Sequence, residues 1–441
     1  MQSVHVIEGV PEPNQMAGTR VFRSAVTRKL LIVCAATLST LPAFAQAGKL
    51  DPTFGSGGVF VAGGSSFPNA PAAAIQTNGE ILVAGQFNGL PGVARLTTSG
   101  ALDPTFGNRG MATTTIDSSD IASSVGIGLQ STGKIVIGLS TFFGADDDGF
   151  TLVRFNSNGT IDTTFGSGGS VMVSPFNLSF IVPSVLAIQP NNEIVLAGSG
   201  AAARFTANGA LDTGFGTNGV ASVPFGSITS IALEPNGDIL LGTGSQTLGT
   251  TPPQGTNTQG AVVRLLANGA IDTSFGIAGQ VATLPAAAAI AVQSNGEIVV
   301  AGTQQGLASG SSTLFQMGYG VVRLQTNGAI DTTFGTNGGA FVGFSGFPIV
   351  NAYALAIQSN GDVVVAGDAV ISTAFNAPAD FALARFTPQG TVDTTFGSGG
   401  KITTSFGSGT TAFVTSLAIQ SNGNLIAAGV DGGAVAVARY H

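Results

Sequence analysis

Chemistry at a protein surface needs nucleophiles, bases or metal ligands, and this chain is poor in all three. It has two histidines: His5 lies in a segment expected to be removed, and His441 closes the sequence. A Ser-His-Asp or Cys-His site therefore lacks its base, and a His/Cys zinc site lacks its ligands. Cys34 is the one cysteine, and the bulky Val33 before it is unlike the small residue that precedes a lipid-anchored cysteine. No disulfide, cofactor or metal site is expected. Carboxylate chemistry remains. Paired Asp or Glu could serve glycoside hydrolysis, but most carboxylates here stand at positions that recur along the chain, whereas an active site is normally unique. The expectation is that the chain is not an enzyme. The one acidic run, Asp146-Asp147-Asp148-Gly149, lacks the alternating spacing of a calcium loop and reads as a solvated loop tip.

Two charged positions recur seven times. An apolar run ends in Arg95, Arg154, Arg204, Arg264, Arg323, Arg385 and Arg439, and a motif L/I/V-D-x-x-F-G carries Asp51, Asp103, Asp162, Asp212, Asp272, Asp331 and Asp393. Wherever both lie on one continuous stretch, the Asp follows the Arg by 8 residues. Across a tight turn that spacing sets the two side chains close on paired strands. A partly buried guanidinium needs a partner, and a carboxylate can bind it bidentately. These are read as structural ion pairs, the alternative being seven cations, one per Asp. Arg439 has no Asp after it and Asp51 no Arg before it, so the two orphans are expected to pair with each other.

The elements that hold these residues repeat as well. A-I-Q-x-N-G-E-I-x-V-A-G runs through Ala74 to Gly85, Ala187 to Gly198, Ala291 to Gly302, Ala356 to Gly367 and Ala418 to Gly429, with looser copies at Gly128 to Gly138 and Ala232 to Gly242. Asn-Gly is the strongest short-range hairpin signal, because both turn residues take positive φ. Each unit resolves into four strands: a (A-I-Q), b (E-I-x-V-A-G), c (the apolar run with Arg) and d (after F-G-x-G-G). Seven such units predict an all-β, seven-bladed β-propeller of four-stranded antiparallel blades. The sequence opens on a d strand and stops on a c strand, so the ring should be closed by the N-terminal outer strand joining the C-terminal blade. A β-helix is the runner-up.

These signatures resemble the bacterial delta-sixty repeat, a β-propeller family without an assigned activity. The resemblance covers roughly Lys49 to His441 and implies the propeller fold, with no catalytic residues to carry over. Unit two departs most, with Gly128 and Thr132 in place of Ala and Asn, and Glu234 replaces the repeat Gln in unit four.

Composition agrees, with 65 Gly, 9% charged residues and no Trp. A net charge of −8 disfavours nucleic acid or an anionic membrane as partner. Arg28 and Lys29 precede an apolar stretch from Leu30 to Leu41, and Ala43-Phe44-Ala45 offers a cleavage site before Gln46. Residues 1–45 read as a Sec-type signal peptide, its start at Met1 or Met16, and 46–441 as a single secreted or periplasmic propeller domain, a monomer with no membrane insertion. Binding is expected on the face of the b–c connections. There the separation of the repeat Gln (Glu in unit four) from the Arg is 15 in unit three but 30, 30 and 27 in units four to six. Phe315, Met317 and Tyr319 are the bulky candidates for ligand contact. The functional expectation is a non-enzymatic binding or structural propeller for an unknown protein or cell-envelope polymer. The alternatives are an extracellular polymer-acting enzyme using non-repeat carboxylates in the central channel, and a lectin-like sugar binder.

Overall fold

In the computed structural model the described residues are 47–64, 71–87, 90–114, 121–142, 148–173, 183–244, 260–283, 287–307, 315–374, 377–407 and 409–441. The chain divides into two compact units, Met1–Phe44 and Ala45–His441, and every described residue belongs to the second. The segment read as a signal peptide lies outside the described residues, as do Asp146 and Asp147 of the acidic run. Asp148 begins a strand opposite Phe142. No helix occurs among the described residues, and hence none long and apolar enough to cross a membrane.

The second unit is a seven-bladed β-propeller. Blade six shows the plan, with strands a Ile349–Ile357, b Val363–Val370, c Ala379–Phe386 and d Lys401–Thr404 hydrogen-bonded antiparallel in that order. Blades three and four join into one sheet, because Val220–Leu233 runs on from the d strand of one into the a strand of the other. Each a strand touches the a strands of both neighbouring blades, all round the ring, so the a strands are innermost.

Small and β-branched residues on both faces of each blade follow from this arrangement, since both faces are covered. The apolar core is accordingly divided into seven clusters, one in each seam between blades. Each contains one fully buried Phe of the F-G motif: Phe54, Phe106, Phe165, Phe215, Phe275, Phe334 and Phe396.

Ring closure divides blade seven between the two ends of the sequence. Strand Val59–Gly64 pairs with Ala434–Tyr440 as the outer strand of Ala412–Ile419 and Leu425–Asp431. The c–d turn is divided too. In an intact turn Gly100 N donates to Thr97 O and Thr97 N to Ala101 O; in the divided one Gly48 N donates to His441 O and His441 N to Lys49 O. Gly48 keeps the φ of +85° that Gly100 has at +82°. A side chain at Gly48 would meet Gly397 N at 2.7 Å, as one at Gly100 would meet Gly55 N at 2.6 Å. The turn geometry thus survives without chain continuity.

Candidate functional site

The repeated charges build one clasp per blade. All seven Arg–Asp pairs form with N···O distances of 2.6–2.7 Å, including Arg439 with Asp51. Each guanidinium lies over the F-G ring of its own motif, 4.6–4.8 Å from the centroid. The Asp uses Oδ2 for the Arg and Oδ1 for the residue two further on, as when Thr105 donates from N at 2.9 Å and from Oγ1 at 2.7 Å to Asp103. That is why Thr or Ser usually precedes the Phe. Outward, in six blades Arg Nη1 donates to a carbonyl in the next blade's c–d turn, as Arg204 does to Ala267 O at 2.6 Å, whereas Arg385 Nη1 donates to Gln358 Oε1 at 3.2 Å. Burial is the largest influence on Asp51, Asp103, Asp162 and Asp393 and would raise them. Hydrogen bonds and nearby Arg or Lys charge outweigh it, and all four sit below the usual carboxylate range. Every one of these carboxylates is occupied by the fold.

Phe315, Met317 and Tyr319 do not lie on a loop. The insertion of unit five extends a hairpin, strand Ile298–Leu307 pairing with Phe315–Leu324 out to Leu307 opposite Phe315. Tyr319 is a correction to the expected ligand site: it is fully buried, its hydroxyl donates to Ala382 O at 3.1 Å and its ring packs on Phe344 at 4.9 Å. Met317 packs against the core between blades five and six. The Phe315 side chain lies outside the described residues, as do residues 245–259 of the connection in unit four.

The central channel is a cavity of about 340 Å³ to which every a strand contributes, among them Ala73, Ile127, Leu186, Ser230, Ala289, Tyr353 and Ser416. No carboxylate lines it among the described residues. The expected carboxylate-lined channel is therefore absent from that lining. Several of its hydroxyls tie one blade to the next, Ser230 Oγ donating to Ala287 O at 2.9 Å and Ser416 Oγ accepting from Ala73 N at 3.1 Å.

The group that stands apart is Asp368. It directly follows the A-G of strand b in blade six, where other units carry Gln86, Leu139, Ser199, Thr243, Thr303 and Val430. Strand alternation puts it on the side of Val364 and Ala366, facing blade seven. It is 6% exposed, and among the described residues no cation lies within ion-pair distance. Asn351 donates to its Oδ1 from N at 3.0 Å and from Nδ2 at 2.9 Å. Burial dominates, and the carboxyl is pushed up to about 6. Its charge, after burial, helps to push Tyr353 up to about 12. Tyr353 is 43% exposed at the channel wall and meets Phe413 of blade seven, ring to ring at 6.2 Å. Exposed Ile349 and Ile371 flank the same end of blade six. Across the seam, Asp431 continues the side of Leu425 and Ala427, with Oδ1 buried and without a hydrogen bond. Sequence reasoning passed over Asp368; the signal was a charged residue where the other units have a neutral one.

Fold and clasp together define the class, a propeller of seven copies of one repeat. A family model, the β-propeller domain of unknown function DUF5122, matches residues 76–106, 130–165, 189–215, 235–275, 293–334 and 358–396. The six segments end on the repeat Phe, and the divided seventh unit is not among them. No curated protein matches the chain. Among solved structures, virginiamycin B lyase from Staphylococcus aureus is similar at 11% identity and a TM-score of 0.49, covering 86% of this chain and 98% of that one. A gluconolactonase from Xanthomonas campestris is similar at 12% identity and a TM-score of 0.38, covering 87% and 98%. An aldose sugar dehydrogenase from Streptomyces coelicolor is similar at 11% and 0.37, covering 86% and 98%. All three are enzymes. The expectation that this chain is not an enzyme, drawn from its scarcity of histidine, is corrected to this extent: the fold it shares is one that enzymes also use. The likeness is one of fold alone, and no activity carries across it.

Proposed function

We propose that the chain is an exported binding propeller that holds a polymer of the cell exterior where blades six and seven meet, on the face of the b–c connections. In this reading the repeat is a delta-sixty repeat, residues 1–45 are removed on export, and the rest acts as a monomer. One observation carries the site: Asp368 is a buried carboxylate with no cation within ion-pair distance among the described residues, in a molecule whose seven repeat carboxylates each have an Arg. A charge left in that state is costly unless something else meets it. The exposed ring of Tyr353 beside it offers a flat apolar contact, and Asn351 lies next to both. The test is affinity capture of envelope polymers by the native chain and by Tyr353→Ala. Equal capture by the two would move the site elsewhere.

A second reading rests on the protonation of Asp368. A carboxyl titrating near 6 is poised to take or give a proton, which suits a polymer-acting enzyme. Nothing that acts on it is a second carboxylate, so hydrolysis by paired carboxylates is not built around this residue. In this reading Asp368→Asn abolishes turnover of a captured polymer but leaves its binding intact.

A further inference from the structure

The hydrogen bonding of Asp368 selects among ligands, and this step rests on the binding reading above. Both hydrogen bonds from Asn351 go to Oδ1. Among the described residues no hydrogen bond to Oδ2 from another residue is seen, so a ligand would meet one carboxylate oxygen and not a pair. A guanidinium gains its advantage by a two-pronged contact with both oxygens, whereas an ammonium acts as a compact point charge. One free oxygen therefore favours an ammonium. Tyr353 adds a ring face at the same place, and such faces attract cations as well as sugar rings. The net charge of −8 draws cations to the molecule.

We propose that Asp368 receives the primary ammonium group of an amino-sugar polymer, with a sugar ring lying on Tyr353. A lysine side chain would bring the same ammonium. The neutral hydrogen-bonding groups and single exposed ring beside the carboxylate favour the sugar.

The experiment titrates the full chain calorimetrically with a hexamer of glucosamine and with its fully N-acetylated counterpart. The native protein should bind the free-amine hexamer at least about tenfold more tightly, a difference of about 1.4 kcal/mol. Asp368→Asn, nearly identical in shape, should remove that preference, and Tyr353→Ala should weaken both hexamers. Thermal melting of each variant checks that it folds. Equal native affinity for the two hexamers, with Tyr353→Ala still weakening both, would overturn the ammonium and leave the site standing. Hexamer binding indifferent to both substitutions would overturn the site itself. Binding of a lysine peptide but not its acetylated form, with neither hexamer bound, would overturn the amino sugar and make the ligand a protein.

Discussion

At the scale of single residues, the same side-chain type does opposite things according to what the seam supplies. Asp51 and Asp368 are both buried carboxylates. Asp51 is held by Arg439 at 2.7 Å and by Thr53, and ionises below the usual range. Removing either partner leaves the other charge unpaired, so Asp51→Ala and Arg439→Ala should each cost about 3 kcal/mol in denaturant unfolding. A lowered carboxyl stabilises above its unfolded value of 3.8 and loses that as pH falls through the folded value. The difference between native and Asp51→Ala should therefore shrink in acid. Asp368 runs the other way. Its folded value is raised from 3.8 to about 6, so the fold is favoured below the first and weakened as pH rises through the second. Asp368→Asn should leave stability unchanged at pH 3 and raise it at pH 7, which melting at the two pH values will show. A variant less stable than native at pH 7 would mean that the ionised carboxylate is already satisfied.

At the scale of elements, the blades are tied by a second recurrent contact besides the clasp. In four blades the repeat Gln sends its amide to the a–b turn of the following blade: Gln130 to Asn192 O at 2.9 Å, Gln189 to Gly237 O at 3.4 Å, Gln358 to Gly423 O at 3.2 Å and Gln420 to Gly79 O at 3.3 Å. Glu234 takes that place in blade four, where an ionised carboxylate has no proton to donate. Its Oε2 is buried without a hydrogen bond, and burial above all raises its carboxyl. Glu234→Gln supplies the missing donor toward the turn at Gly296. It should stabilise the fold by about 1 kcal/mol. The gain should be larger at pH 7 than at pH 4, because a raised carboxyl costs stability only once it ionises. Chemical denaturation at both pH values measures it. A destabilised variant would mean that the 3.5 Å approach of Arg264 to Glu234 outweighs the lost donor.

At the scale of the whole molecule, the ring is closed by contacts and not by the order of the chain. Ala47, Gly48 and Lys49 take the places in the divided turn that Ser99, Gly100 and Ala101 take in an intact one, Ala47 O accepting from Gly397 N as Ser99 O does from Gly55 N. One turn residue, the counterpart of Thr98, then separates His441 from Ala47. A circular permutant that joins His441 to Ala47 through one residue, and opens instead between Asn158 and Gly159, should fold to the same ring with a single cooperative melt. The ends so created lie in an exposed turn of the kind that tolerates them. A permutant that expresses but melts in two steps would show that closure of blade seven, and not blade two, is what makes the ring cooperative.

Most of this architecture is legible in the residues themselves. Period-two alternation, Asn-Gly turns and the spacing from Arg to Asp act over a few residues, and local contacts of that kind are written locally. Even the pairing of Arg439 with Asp51 was legible, because seven equal units leave one orphan of each charge. The aromatic half of the clasp was not, since Phe54 and its six counterparts are single letters in a motif until neighbouring blades bury them. Tyr319 looked exposed because an insertion in sequence resembles a loop; that the insertion would pair as a longer hairpin and turn the ring into the five–six seam depended on strand register. Asp368 is the clearest case. Its meaning lies in the absence of a cation within ion-pair distance among the described residues, and that is a property of the whole seam between two blades. Local sequence determined the repeat and the turns, because each is held by near neighbours, and the count of equal units determined the closure, because it leaves one Arg and one Asp without a local partner. Only the packed ring decided which carboxylate stands alone, because desolvation and partner distance are set by groups from both sides of that seam.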